Sequence, residues 1–226
     1  MSSNILTFSS GVYTPRQAAR LVGAKPRDVL RWTRGSGPSE PIWRAHYQGL
    51  DDTTEISFLD LIEVRVVSAL RREGATLQAI RYAIQIAKNE FRIERPLASQ
   101  KFYLSGTEIL MDAVEGDGQL VSLSKRRPTQ KVFKRIIEQN LEDVEYEDDV
   151  AARWRPNWVS GIVLDPKRQF GNPILDDFGL STETIRRELE NELTEREISS
   201  LYEVPLDLVK AAKKFELRLE ENLAAA

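Results

Sequence analysis

The 226-residue chain has no cysteine, a single histidine and two methionines. Without thiols it can build neither a disulfide frame nor a thiolate metal site. No apolar run approaches the roughly 20 residues that a membrane span needs. Residues 1–10 lack the basic start and apolar stretch of a signal peptide, so the expectation is a cytoplasmic protein. The lone histidine, His46, sits among Trp43, Arg44 and Tyr47, and nothing nearby suggests a pocket for a Ser–His–Asp set. What is present is an ordinary globular mixture, 41% apolar and 30% charged, long enough for one large domain or two small ones.

The net charge of −3 conceals an asymmetry. Residues 1–50 carry seven basic and two acidic residues, a surplus of five, so the remainder sums to −8. A basic N-terminal module on an acidic body suits a nucleic-acid binder with a second task. The positive surplus coincides with a patterned stretch, residues 13–35. Thr14 can cap a helix and Pro15 suits its first position, where an N–H would have no intrahelical partner. Ala18, Val22, Ala24, Val29 and Trp32 fall where two short crossed helices must bury apolar groups, and Ala19 falls where only a small side chain fits. Gly23 falls at the turn, where left-handed backbone costs glycine little. The pattern predicts a helix-turn-helix, with a plain core hairpin as the bland alternative.

The segments around Trp43 to Tyr47 and Thr54 to Ile56, separated by a turn at 49–52, read as a short two-stranded wing. Ser57, with Asp60 three residues on, predicts a capped helix carrying Phe58, Leu61, Ile62, Val66, Ala69 and Leu70. Gly74 ends it, and Thr76 starts another that fades near Phe91, before Pro96. This order, with Asp60-Leu61 leading into the third helix and Leu70-Arg71 through Gly74 before the fourth, resembles the DNA-binding domain of MerR-type regulators over roughly residues 12–90. The resemblance implies double-stranded DNA as a partner. It departs at Pro96, where that family continues into a long helix, and it carries no cysteine for metal sensing.

Residues 97–124 read as a small antiparallel sheet. Lys101 to Leu104 and Glu108 to Met111 flank Ser105, Gly106 and Thr107, a hairpin signal, and Leu120 to Leu123 reads as a third strand. A helix over about 129–141 follows, with Val132, Phe133, Ile136 and Ile137 inward. An acidic run comes next: Glu142, Asp143, Glu145, Glu147, Asp148 and Asp149. It suits a solvated linker, a dock for a basic partner or, as an alternative from another class, a metal-dependent hydrolase. Short strands are expected at 162–165 and 171–175, then helices capped by Ser181 and Thr194. From Glu195 onward, Ile198, Tyr202, Val204, Val209 and Ala212 repeat the helix-turn-helix spacing, with Glu203 in place of the turn glycine. Cations and anions cancel over 194–219.

The block 162–215 is similar to the VapB-like antitoxin family of type II toxin–antitoxin systems. The residues that carry the likeness are Ile162, Asp165 and Pro166, then Gly171, Pro173 and Ile174, and later Ala212 and Phe215. Leu175 to Gly179 stands where that family usually has a basic stretch. The resemblance implies a ribonuclease toxin of PIN-like fold as a second partner. The expected whole is an α+β, mostly helical protein. Residues 1–95 form a MerR-like winged helix-turn-helix, 96–158 a connecting sheet and helix, and 159–226 an antitoxin-type helical domain with a second helix-turn-helix-like motif.

A recognition helix reads bases from its N-terminal turns while neighbouring groups hold phosphates. Lys25, Arg27, Asp28, Arg31 and Arg34 are then the outward residues of the second helix. Arg27 and Arg31, four apart, are suited to guanine edges. Thr14 and Arg16 suit phosphate, and Arg44, His46 and Tyr47 would lie in the wing. Trp43, Trp154 and Trp158 are expected in packing. No catalytic residue, cofactor or metal ligand is expected. A homodimer is expected because one such module offers few base contacts, with the pairing surface in the later body. The functional expectation is an antitoxin that represses its own operon and neutralises its toxin, with a stand-alone regulator as the alternative.

Overall fold

Hydroxyl caps set where three of the four N-terminal helices begin. The computed structural model describes residues 10–37, 40–49, 53–92, 94–116 and 130–224, apart from the side chains of 111–116 and 223. Helix α1 (Pro15–Val22) starts at Thr14, whose Oγ1 accepts the Gln17 N–H while the Gln17 side chain accepts the Thr14 N–H. It ends at Gly23, left-handed at φ 66°. Helix α2 (Pro26–Arg34) follows after the three residues Gly23, Ala24 and Lys25. Ala18, Ala19, Val22, Ala24, Val29 and Trp32 are all buried, as their spacing requires.

Helix α3 (Phe58–Arg72) starts at Ser57 in a capping box with Asp60, and α4 (Leu77–Phe91) starts at Thr76. From Phe58 to Leu70, α3 is buried on all sides except at half-buried Leu59. That is the mark of a central helix rather than a surface one. After a 3-10 turn at Pro96–Ala98 come α5 (Gln100–Gly116) and α6 (Gln130–Leu141). A four-stranded antiparallel sheet in the order β1-β2-β3-β4 comprises Val144–Glu147, Val150–Trp154, Ile162–Leu164 and Pro173–Leu175. Helices α7 (Thr182–Glu190), α8 (Glu195–Leu201) and α9 (Leu206–Ala224) complete the chain. Ser181 and Thr194 cap α7 and α8 as expected. Among the described residues, most of the buried apolar side chains form one cluster running from Tyr13 to Leu219. No helix among the described residues is long and apolar enough to cross a membrane.

Two expectations fail here. Residues 101–111 are not a hairpin but the body of α5. Gly106 is not a turn residue: it is buried, and a Cβ there would lie 3.0 Å from the Phe102 ring. The glycine makes room for that ring to lie along the helix. The expected third strand at 120–123 lies outside the described residues. The wing is not a ladder either. Residues 46–49 turn, and Ile56 bridges Tyr13 instead of the 43–47 segment. Trp43, Ala45 and Tyr47 are buried and Arg44 and His46 exposed, so the alternation is real. The segment is held by side chains rather than by a partner strand.

The sheet grows out of the acidic run. Asp148 and Asp149 are both left-handed (φ 50° and 66°), which a tight hairpin between β1 and β2 needs at its two central residues. Asp143 is buried and takes two N–H bonds from the Arg65 guanidinium, at 2.7 and 3.1 Å, and one from Trp154 Nε1 at 2.9 Å. The same guanidinium stacks 4.2 Å from the Trp154 ring. This pair ties central α3 to the start of the sheet. Removing one member leaves a buried charge without its counter-ion. Asp143→Ala is therefore expected to cost about 3–5 kcal/mol of stability by denaturant unfolding, and far more than Glu142→Ala, whose carboxylate is exposed.

Candidate nucleic-acid interface

Helices α1 and α2 pack against α3, and α1 also packs against α9. Arg20 on α1 donates to Glu216 Oε2 on α9 at 2.8 Å, and Asn222 Nδ2 donates to the Arg20 carbonyl at 3.2 Å. Burial pushes the Glu216 carboxyl above its ordinary value, against the bond from Thr182 and the charge of Arg20. One side of the helical pair is thereby clamped to the C-terminal helices.

Of the residues expected to meet DNA, some are exposed and some are engaged within the fold. Arg16, Lys25, Arg27 and Arg31 are exposed, and Arg16, Lys25 and Arg27 have no ion-pair partner among the described residues. Arg31 lies 3.2 Å from Asp28 one turn back, so Asp28 orients an arginine. Arg34 turns away and donates to the Thr53 carbonyl. Thr14 is exposed but its hydroxyl serves the α1 cap. Arg44 and the His46 ring are exposed. Tyr47 is not: it is 3% exposed and its hydroxyl donates to the Gly11 carbonyl at 2.6 Å. It is a core residue, and burial raises its pKa to about 12. The fold also brings in two residues missed from sequence, Arg71 and Arg72, exposed at the end of α3 and beside the Gly23–Lys25 turn. Their place in the last turn of a capped helix explains them locally, so no sequence pattern sets them apart.

A second buried carboxylate sets the loop that carries Arg44 and His46. Asp60 accepts from Trp43 Nε1 (2.8 Å), the His46 N–H (3.1 Å), and the Ser57 N–H and hydroxyl (2.9 and 2.8 Å), and it also pairs with Arg95. Burial pushes the Asp60 carboxyl up, but Arg95 and these donors outweigh it and hold it below its ordinary value. Glu63, one turn on, is fully buried. Its Oε2 lies 2.7 Å from the Arg95 guanidinium without an aligned N–H. Two carboxylates thus share one guanidinium, and burial raises Glu63 to about 7.

The acidic run forms no open cluster. Glu142 accepts from Asn157, Glu145 pairs with Arg153 and Arg155, Glu147 with Arg153 and Lys167, and Asp149 with Lys101. Those carboxylates are spent on holding the hairpin and its neighbours. In the C-terminal block, Glu203 takes the left-handed turn conformation (φ 55°) in the place that glycine holds in α1–α2. Ile198, Val204, Val209 and Ala212 are buried there and Tyr202 is half-buried.

The Glu63 geometry has a pH signature. Below the ordinary value of 4.5 the carboxyl is protonated folded or unfolded and costs nothing. Between 4.5 and about 7 the unfolded chain ionises first, so stability falls as pH rises, by on the order of 3 kcal/mol, and then levels. Glu63→Gln is expected to remove that fall. By urea unfolding it should match the parent near pH 4.5 and exceed it at pH 8.

No family model matches the chain. Over 92% of its length it is 28% identical to "Putative antitoxin VapB45" of Mycobacterium tuberculosis (strain ATCC 25618 / H37Rv), and the match spans 94% of that protein. The fold is similar to the X-ray crystal structure of Rv2018 from Mycobacterium tuberculosis, with a TM-score of 0.68 and 24% identity, covering 88% of this chain and 96% of that one. The likeness to a named antitoxin is therefore end to end, not confined to either half.

Proposed function

We propose that this chain is the antitoxin of a type II toxin–antitoxin system. It binds operator DNA through α1 and α2, represses its own operon and neutralises a ribonuclease toxin of PIN-like fold. The observation that carries the antitoxin role is the similarity along 92% of the chain to a protein named as an antitoxin. On this reading the chain is a regulatory protein rather than an enzyme. The DNA role is supported by the exposed cations of the helical pair. It is a helix-turn-helix whose second helix presents Lys25, Arg27 and Arg31 to the major groove, with Arg16 on phosphate. Arg44 is exposed on the loop held by Asp60, whereas His46, on the same loop, lines a hollow with Glu147, Asp148 and Lys167 of the sheet region. Arg34 and Tyr47, engaged within the fold, are left out of this reading.

The chain acts as a homodimer, because two-fold proteins read inverted half-sites about one helical turn apart. On α9, Val209, Phe215 and Leu219 are buried within the subunit. Leu217, with Leu201 of α8, is left exposed.

The toxin reading is tested by co-expressing the tagged chain with the protein of the adjacent reading frame. Co-purification with loss of that protein's ribonuclease activity is expected; no capture and unrestrained cleavage leaves the stand-alone regulator. The DNA reading is tested by gel shift on the region upstream of the gene. Arg27→Ala or Arg31→Ala should each cost about 1–3 kcal/mol and relax base preference, whereas Arg16→Ala should weaken all sequences alike. Unchanged binding by the Arg27→Ala, Arg31→Ala double variant would move the recognition helix elsewhere. Light scattering of the full chain should give the mass of two copies.

A further inference from the structure

The outer face of α9 carries an ordered set of charges. Val209, Ala212, Phe215, Glu216 and Leu219 turn inward and are buried. Lys210, Lys213, Lys214, Leu217, Glu220 and Glu221 are all exposed. A single exposed leucine is ordinary, but the charges around this one are not. The three lysines precede Leu217 and the two glutamates follow it. A helix favours the reverse order, anions toward its N-terminus and cations toward its C-terminus. Lys210 and Lys214, and Lys214 and Arg218, also stand four apart as like charges, which destabilises an isolated helix. The order therefore has no cause within α9 itself.

Part of the set is used inside the subunit. Lys213 donates to Glu195 on α8 at 2.7 Å, and Glu220 lies 4.0 Å from Arg20 on α1. Lys214 and Glu221 have no ion-pair partner among the described residues. At 3.6 residues per turn these two lie on one flank of Leu217, about 60° and about 40° round the helix, with Lys213 and Glu220 on the other flank. Along the axis Lys214 stands about 4.5 Å before Leu217 and Glu221 about 6 Å after it. A second α9 laid antiparallel and face to face about Leu217 keeps each flank on its own side and reverses the order along the axis. Leu217 then meets the partner's Leu217, and Lys214 meets the partner's Glu221. A parallel pairing sets lysine against lysine and glutamate against glutamate, which Coulomb repulsion opposes.

We propose that a second copy of this chain docks on this face, in an antiparallel pairing of the two α9 helices closed by two Lys214–Glu221 ion pairs about the Leu217 contact. A two-fold interface must be self-complementary, and this charge order is. That two copies pair at all rests on the homodimer reading above; which face pairs rests on α9. Because Glu216 and Asn222 of α9 hold Arg20 of α1, the same pairing fixes the spacing of the two copies of α2.

The test is light scattering of the full-length chain over a range of concentrations, with Lys214→Glu, Glu221→Lys and Leu217→Asp variants checked for folding by circular dichroism. The parent is expected to dimerise, and each variant to raise the dimer dissociation constant roughly tenfold. Lys214→Glu and Glu221→Lys chains mixed in equal amounts should recover a dimer close to the parent's in strength, because the mixed dimer opposes unlike charges in both pairs. A merely misfolded variant gives no such rescue. A parent that stays monomeric overturns the homodimer reading and this face with it. A dimeric parent whose three variants pair as tightly overturns the face and leaves the homodimer reading standing. Charge variants that weaken the dimer and are not rescued by mixing overturn the antiparallel register.

Discussion

The carboxylate of Asp60 is the constraint on which the N-terminal half depends. It is buried, and no buried carboxylate stays ionised without donors. Five converge on it: two from Ser57, one each from the His46 backbone and the Trp43 indole, and the Arg95 guanidinium. One group therefore starts α3, fixes the loop of Arg44 and His46, and pins the chain beyond α4. The arrangement recurs at Asp143, which joins Trp154 and Arg65. Both hubs involve α3, which contributes Asp60 to one and Arg65 to the other. The central helix thus acts through polar bonds as well as apolar burial. Such hubs specify one arrangement because a half-satisfied version is worse than none.

The clamp of α1 onto α9 gives the two ends of the chain a shared boundary. Arg20, Glu216, Thr182 and Asn222 hold the back of the helical pair and leave its cationic face outward. Apart from Arg20, which meets Glu216, the basic head keeps its cations, since most of the acidic run pairs with arginines and lysines outside it. The positive field remains concentrated where the proposed DNA face lies.

Much of the helical framework was legible because its signals are local. Thr14, Ser57, Thr76, Ser181 and Thr194 all cap where their side chains predict, since a cap needs only the next three residues. The errors arose where a local signal had a non-local use. Ser105, Gly106 and Thr107 have turn chemistry, but Gly106 is a helix residue cleared for the Phe102 ring. Phe102, Ile109 and Leu110, all buried, keep helical spacing that the aromatic and branched residues around them masked. The alternation of Trp43, Ala45 and Tyr47 suits a strand, yet the Trp43 indole donates to Asp60, 17 positions away.

By itself the sequence determined the capped helices, the crossing of α1 and α2 at Ala19 and Gly23, and the basic character of the N-terminal module. Backbone caps, side-chain size and charge act over a few residues. Tertiary structure alone decided which of the cations are available and which are spent. It buried Tyr47, turned Arg34 onto Thr53, converted the acidic run into a braced hairpin, and set Arg71 and Arg72 beside the α1–α2 turn. Those outcomes depend on partners far apart in the chain, and no short-range pattern records which partner a buried donor or acceptor will find.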